Sequence, residues 1–186
     1  MMWTLLWGEG MGKAKQISLC AVLIALALAL SYTERFIPLQ MVVPLPGMKL
    51  GLANIVTLIA LSLFKPRYAG YILVARCVMG AVFGGGITGL LFSLCGGVLA
   101  LLMMSLVMRA QFLSLYGVSV LGAAAHNVGQ ILAAMVLMNS VYILGYLPYL
   151  LLIGIVTGLL TGGLCAGILR VLPYGHISVP PQMKRA

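Results

Sequence analysis

Apolar residues run along this chain in long stretches that short polar or glycine-rich breaks separate. The stretches lie at about residues 16–33, 48–64, 68–84, 86–108, 115–138 and 147–170. Each is close to the roughly 20 apolar residues that a helix needs to cross a bilayer. The breaks contain residues that end helices, such as Pro66 and the glycines at 84–86. The pattern predicts an all-α, polytopic membrane protein with a bundle of six transmembrane helices.

The spans leave no room for a separate soluble domain in a chain of 186 residues. We expect a cytoplasmic leader at 1–15, a membrane domain at 16–170 and a cytoplasmic tail at 171–186. With the N-terminus inside, eight Lys and Arg residues fall on the cytoplasmic side, and two, Arg35 and Lys49, fall outside. Positive residues concentrate in cytoplasmic loops of membrane proteins. The bias therefore predicts that both termini are cytoplasmic.

Composition and charge exclude several function classes. Residues are 63% hydrophobic and 7% charged, and the basic ones lie singly at the ends of apolar runs, so we expect contact with a lipid bilayer and not with nucleic acid. Glu9 and Glu34 are the two acidic residues, too few for the carboxylate clusters that hold Mg²⁺ on a diphosphate. Motifs for metalloproteases, serine hydrolases and P-loop nucleotide sites are missing as well. We expect no enzyme activity, no metal and no cofactor.

Polar residues at membrane depth are few, and Arg76 is the most costly of them. An arginine at the centre of a span costs roughly 2.5–3.5 kcal/mol on insertion scales, so it usually faces a bundle interior or a watery cavity. Asn54 lies in the second span, and His126, Asn127 and Gln130 lie together in the fifth. The i, i+3 and i, i+4 spacings place the last three on one side of their helix. Together these residues favour a binding cavity.

A turn at 44–51 leads into the second span and adds a second anion-attracting feature. Pro and Gly there predict an outward-facing helix N-terminus, whose free N–H groups and dipole attract anions, and Lys49 adds a charge. We therefore expect a small, anionic or electron-rich substrate. The predicted substrate-binding residues are Arg76, His126, Asn127, Gln130, Asn54 and Lys49.

Each of these residues also has a purely structural interpretation. Asn54 can join two helices by a hydrogen bond, and a single buried histidine is commonly a hydrogen-bonded core residue. Arg76 can simply pair with Glu34, the acidic residue near the outer half. The apolar outer connection at 32–47 is predicted to fold over the bundle as a lid, with a loop on the outer bilayer surface as the alternative.

Small residues repeat every four positions on three spans, which lets helices approach closely. Two of these rows are predicted to pack inside the bundle: Ala125, Gly129 and Ala133, and Gly154, Gly158 and Gly162. The row on the first span is the better candidate for an outward docking face: Ala21, Ala25 and Ala29.

Three strings carry a family resemblance: PLPGMKLGLANIVTLIALSL at 44–63, LVARCVMGAVFGG at 73–85 and GVSVLGAAAHNVGQILAA at 117–134. With them, roughly residues 13–170 resemble the Gx transporter family, whose members often carry the label heptaprenyl diphosphate synthase component I. That family looks like the substrate-binding S-components of energy-coupling factor (ECF) transporters. The resemblance implies a six-helix bundle in the bacterial plasma membrane, with a site that opens outward below the first long loop.

The resemblance also implies partners and a mechanism. An S-component docks through small residues of its first helix onto a membrane coupling protein, which binds two ATPases, and Ala21, Ala25 and Ala29 match that pattern. ATP hydrolysis in the partners would then topple the loaded component and release a vitamin-like, isoprenoid-precursor or quinone-precursor anion. The label implies an alternative, a noncatalytic membrane subunit of a heptaprenyl diphosphate synthase. A purely structural membrane subunit is a third class. The short cytoplasmic loops favour the binder, because an anchor needs a large docking surface there.

Overall fold

The computed structural model describes residues 12–36, 48–110 and 113–171, and within these ranges the regular structure is helical. The α-helices there are α1 (Lys13–Thr33), α2 (Asn54–Leu63), α3 (Pro66–Gly80), α4 (Gly86–Ala110), α5 (Leu115–Met138) and α6 (Leu147–Val171). Short 3-10 segments at Glu34–Phe36 and Val141–Tyr146 follow α1 and precede α6. The all-α class is confirmed for the described ranges. The leader up to residue 11, residues 37–47 of the predicted lid and the tail from residue 172 lie outside them. The first part of the predicted lid, residues 32–36, is helical, so the outer connection begins later than predicted.

Within the described ranges, four helical stretches are long and apolar enough to cross a membrane: Lys13–Thr33, Pro66–Ala110, Leu115–Met138 and Val141–Val171. The second contains both α3 and α4. A π-helical turn at Ala81–Gly85 joins them, and Gly84 and Gly86 adopt positive φ angles of 96° and 63° there. α4 then folds back on α3, since a Cβ atom on Gly97 would lie 3.4 Å from Leu73 Cγ.

The second predicted span is shorter than its apolar pattern indicates. α2 has ten residues, Asn54–Leu63, a length of about 15 Å at 1.5 Å per residue, against a hydrocarbon core of about 30 Å. The chain is not helical before it, because Gly51 adopts a φ of 83° and the N–H of Asn54 closes a turn on the Gly51 carbonyl at 2.9 Å. The predicted start at residue 48 is therefore wrong, and the count of six full spans is not confirmed.

Helix ends in the described chain have identifiable local causes. Pro66 opens α3 at the first turn, where its missing N–H has no intrahelical partner to lose. The Ser114 hydroxyl accepts a hydrogen bond from the Gly117 N–H at 3.4 Å and caps the start of α5. Asn139 ends α5 in the left-handed conformation, with a φ of 46°. These caps fix where α5, the helix with the most candidate site residues, begins and ends.

α5 packs closely against both α4 and α6 through glycines. A Cβ atom on Gly129 would lie 2.6 Å from the Cys95 carbonyl oxygen of α4. One on Gly158 of α6 would lie 2.6 Å from Val120 Cα. Such approaches exclude any side chain at these two positions, and they are typical of small-residue packing between membrane helices. The prediction that the small-residue rows of the fifth and sixth spans pack internally is confirmed.

α1 and α2 differ most in burial. Nine of the ten residues of α2 are buried, so this short helix lies in the middle of the bundle. α1 buries Leu23, Ala27 and Ser31 along a narrow stripe. The other side of α1 is exposed, and it includes all three alanines of the predicted docking row: Ala21, Ala25 and Ala29.

Candidate binding site

The non-helical segment before α2 is held by the side chain of Gln130. Its Oε1 accepts a hydrogen bond from the Lys49 N–H at 3.1 Å, and its Nε2 donates to the Lys49 carbonyl at 2.9 Å. The side-chain amide thus pairs with both the N–H and the C=O of Lys49, as the backbone of a neighbouring strand would. Non-helical backbone inside a membrane protein needs such internal partners, since lipid offers none. Gln130, which is fully buried, is therefore what lets the chain enter the bundle at Lys49.

The orientation of Gln130 also fixes the tautomer of His126. The Gln130 Nε2 lies 2.5 Å from the His126 Nε2. Because the Gln130 Oε1 faces an N–H donor, Nε2 must be the amide nitrogen, and the facing imidazole nitrogen must accept. The proton of the neutral ring is then on Nδ1. That atom lies against the backbone of Gly96 on α4 and has no hydrogen-bond partner in the described chain.

Arg76 and Asn54 meet on the other side of this segment. The Arg76 Nη2 donates to the Asn54 Oδ1 at 3.4 Å. Arg76 is only 6% exposed, and its Nε has no hydrogen-bond partner among the described residues. The Asn54 Nδ2 is likewise buried without a partner there. Gly51 lies between Asn54 and His126. A Cβ atom on it would lie 2.8 Å from Asn54 Nδ2 and 2.9 Å from His126 Cδ2.

Glu34 closes the outer end of the same cluster. It lies just after α1, and one carboxylate oxygen accepts a hydrogen bond from the Leu52 N–H, at the free N-terminal end of α2. Its other oxygen, Oε2, is buried without a partner in the part of the chain that is described. Burial raises the pKa of Glu34, while the Leu52 hydrogen bond and the charges of Lys49 and Arg76 act in the opposite direction.

Arg76 and Glu34, which the sequence analysis offered as a possible structural ion pair, have other hydrogen-bond partners. The hydrogen bond of Glu34 goes to the α2 N-terminus, and that of Arg76 goes to a neutral amide oxygen. The two side chains still interact electrostatically across the cluster. The guanidinium thus keeps donor capacity that a bidentate carboxylate pair would use up.

Ser93 is a site residue that the sequence analysis missed. It lies on α4, three and four residues before Gly96 and Gly97, which contact His126 and Arg76 respectively. This helical spacing puts all three residues on one side of α4. Ser93 is buried, and its hydroxyl has no partner within the described ranges. A serine followed by glycines at i+3 and i+4 in an apolar span was the available signal.

Asn127 has a different environment from its neighbours. Its Nδ2 donates to the Leu150 carbonyl of α6 at 2.6 Å, and Gly154 of α6 packs against the same amide. The structure thus brings together five of the predicted substrate-binding residues, and places Asn127 at the α5–α6 interface. The five are Arg76, His126, Gln130, Asn54 and Lys49. A direct ligand contact by Asn127 stays a prediction.

The cluster as a whole is rich in unused hydrogen-bonding atoms. Five buried side-chain atoms have no partner in the described structure: Glu34 Oε2, Asn54 Nδ2, Arg76 Nε, Ser93 Oγ and His126 Nδ1. They come from the end of α1 and from α2, α3, α4 and α5. Four of the five can donate a proton, so the arrangement can hold a group that is rich in acceptors.

Comparison with known proteins gives one match. A family model described as heptaprenyl diphosphate synthase component I matches residues 23–168. Neither the curated proteins nor the solved structures contain a match to this chain.

Proposed function

The chain belongs to the heptaprenyl diphosphate synthase component I family, and from that premise we propose that it is the substrate-binding S-component of an ECF-type importer. It captures a small organic anion from outside the bacterial plasma membrane in the cluster around Arg76. Both of its termini lie in the cytoplasm, and a membrane coupling protein with two ATPases drives release inward. The six helices form the bundle, with α2 extended outward by the segment at 48–53.

The unpartnered atoms of the cluster carry this proposal. A buried polar group without a hydrogen bond costs about 1–3 kcal/mol in proteins, and a charged one costs more. Buried polar groups that serve only to join helices are normally satisfied. Five unsatisfied atoms from five parts of the chain are therefore best explained by a ligand that supplies their missing hydrogen-bond partners.

Access to the cluster requires movement. Its side chains are almost completely buried, with Arg76 at 6% and Gln130 at 0% exposed. The segment at 48–53 covers them, and its contacts with α5 include the two Gln130 hydrogen bonds, the packing of Gly51 and the apolar packing of Met48. Release of such contacts would open the cluster toward the outer side. The predicted lid at 32–47 adjoins this segment in sequence.

The exposed alanine row on α1 is the proposed docking face. Ala21, Ala25 and Ala29 point away from the buried stripe of α1, so a second helix can approach closely there. The carboxylate of Glu34 links the end of this helix to the cluster. Docking and ligand binding thus use opposite sides of one element.

The alternative is a noncatalytic membrane subunit of a prenyl diphosphate synthase, and the description of the family favours it. Under both functions the pure protein elongates no prenyl chain, because two glutamates cannot hold Mg²⁺ on diphosphates. Incubation with allylic and homoallylic diphosphates and Mg²⁺ checks this. Turnover above a blank, without a copurifying enzyme, would contradict both.

A two-variant experiment tests the transporter function. Tagged wild-type protein is purified from its host membrane, its bound small molecules are extracted and identified by mass spectrometry, and the copurifying proteins are sequenced. Ala25→Trp should lose a coupling protein and ATPases and retain the small molecule. Arg76→Met should lose the small molecule and retain the proteins.

Leu26→Trp is the matched control on α1, because Leu26 is exposed but lies outside the alanine row. It should retain both the partners and the small molecule. Recovery of a soluble prenyl diphosphate synthase in place of ATPases, with no Arg76-dependent molecule, would favour the alternative function.

A further inference from the structure

The charged side chains of the cluster indicate what net charge the ligand carries, which the proposed function does not specify. Three charged side chains that the structure describes interact there: Glu34, Lys49 and Arg76. Among the described side chains of the cluster, one carboxylate interacts with two cations, so these three groups together carry one positive charge in excess.

Burial makes that balance restrictive. An uncompensated charge in a low-dielectric site is costly, and a buried ion is tolerated when a partner of opposite charge compensates it. One negative charge on a ligand would neutralise the closed cluster. A diphosphate, with two or three negative charges, would leave at least one in excess beside the Glu34 carboxylate.

The free donors fit one acid group. Four buried atoms without a partner in the described chain can donate a hydrogen bond: Arg76 Nε, Asn54 Nδ2, Ser93 Oγ and His126 Nδ1. A carboxylate has two oxygens with about four acceptor positions, which suits this number of donors. Glu34 Oε2 is an unpartnered acceptor at the same cluster, and it suits a ligand that also carries an O–H or N–H group.

Building on the proposed function, we infer that this site selects a small monocarboxylate with a hydroxyl or amine donor, and discriminates against phosphate and diphosphate esters. The Glu34 carboxylate provides the discrimination, since it is the negative charge that a second ligand charge would meet. This assigns to Glu34 and Ser93 specificity roles that neither the family description nor the sequence pattern gives them.

The test uses three simple anions on detergent-purified protein: acetate, inorganic phosphate and pyrophosphate. Thermal unfolding is followed against anion concentration at constant ionic strength, which gives an apparent dissociation constant for each. Acetate should bind wild-type protein at least about tenfold more tightly than pyrophosphate, the ratio that corresponds to about 1.4 kcal/mol. Arg76→Met should abolish the acetate effect.

Variants that change the charge separate selectivity from simple binding. Glu34→Gln adds one positive charge to the excess, and it should reduce or reverse the preference for acetate. Lys49→Gln removes the excess and should weaken all three anions, which keeps the test decisive if Glu34→Gln fails to fold. Lys65→Gln is the matched control, because Lys65 is an exposed cation at the far end of α2.

The outcomes distinguish this inference from the proposed function. Arg76-dependent binding with a preference for pyrophosphate in wild-type protein would overturn the monocarboxylate inference and leave the anion site standing. A preference that Glu34→Gln and Lys65→Gln change equally would also overturn it. If none of the three anions has an Arg76-dependent effect, the cluster is not an anion site, and the proposed function loses its binding site as well.

Discussion

Two sets of buried polar side chains include residues of α5, and their hydrogen bonds are satisfied to different degrees. At the α5–α6 interface, Ser119 and Thr161 share a hydrogen bond of 2.9 Å, and Asn127 donates to the Leu150 carbonyl. Around Arg76, five side-chain atoms have no partner in the described chain. Both sets use small polar groups at membrane depth, so polarity alone does not separate them.

The presence or absence of hydrogen-bond partners therefore distinguishes a structural polar contact from a candidate ligand site in a membrane bundle. Polar groups that join helices end on a backbone carbonyl or on each other, as Thr161 does with the Thr157 carbonyl at 2.8 Å. Polar side chains of a ligand site have hydrogen-bond donors that lack protein partners when no ligand is bound. The α5–α6 set should therefore control stability, and the Arg76 cluster should control binding.

Arg76→Met should produce the largest effect on the binding side of the comparison. Truncating one partner of a buried charged pair costs about 2–5 kcal/mol of affinity. Titration of the folded variant with the molecule extracted from wild-type protein, alongside thermal melts in detergent, measures both quantities. If Arg76→Met and Glu34→Gln destabilise the protein similarly and leave affinity intact, the two residues form a structural pair.

Gly51→Ala should cost the most stability, because two effects add. A Cβ atom there meets Asn54 and His126 within 2.9 Å, and the φ of 83° is in the left-handed region. We expect about 1–2 kcal/mol of backbone strain and about 1–3 kcal/mol from overpacking.

Gly86→Ala is a control that adds backbone strain without overpacking. Gly86 has a φ of 63° and a ψ of 179°, which glycine adopts far more readily than alanine, and no atom lies within 4 Å of its added Cβ. Unfolding free energies of both variants are measured by denaturant titration in mixed micelles. A loss for Gly51→Ala no larger than the about 1–2 kcal/mol of backbone strain would mean that the segment at 48–53 does not pack against α5 as described.

Asn127→Leu should lower stability without lowering affinity. The change removes the hydrogen bond from Asn127 to the Leu150 carbonyl, and one intramolecular hydrogen bond contributes about 0.5–1.5 kcal/mol of stability. Thermal melts and ligand titration of the same sample separate the two effects. A loss of affinity in folded Asn127→Leu would move this residue from the interface set into the ligand site, as the sequence pattern predicted.

Ser93→Ala should give the smallest change, and it should lower affinity without lowering stability. It removes a hydroxyl that has no partner in the described structure, so stability should be unchanged or slightly higher. Affinity should fall by about 0.5–1.5 kcal/mol, the net value of one hydrogen bond. Ser105→Ala on the same helix is the control, because Ser105 donates to the Leu102 carbonyl at 2.9 Å; it should leave affinity unchanged.

The sequence predicted the helices better than the details of the site. Apolar length and helix-ending residues located α1, α4, α5 and α6 closely, because a membrane span has a strong signal of about 20 residues. The prediction failed at α2. An apolar pattern does not show that Gly51 adopts a non-helical conformation, or that the Gln130 side chain supplies hydrogen-bond partners to the backbone of Lys49. That interaction joins residues 81 positions apart.

The site was predicted in part for the same reason. Arg76, His126 and Gln130 stood out as costly polar residues in apolar spans, whatever their contacts. Ser93 did not stand out, because a lone serine in a span is common and its lack of a partner is visible only in three dimensions. Asn127 was grouped with His126 because both lie at helical spacing from Gln130, although the side chains of the adjacent residues 126 and 127 are about 100° apart around the helix.

The most direct test of the central claim is the small molecule that accompanies the protein. Wild-type protein and Arg76→Met are purified in parallel in mild detergent, and the extracts are compared by quantitative mass spectrometry. We expect about one small organic anion to copurify with each wild-type chain. It should be absent from Arg76→Met and retained in the docking variant Ala25→Trp. Equal amounts in wild-type protein and Arg76→Met, with both proteins folded, would contradict a ligand site at this cluster.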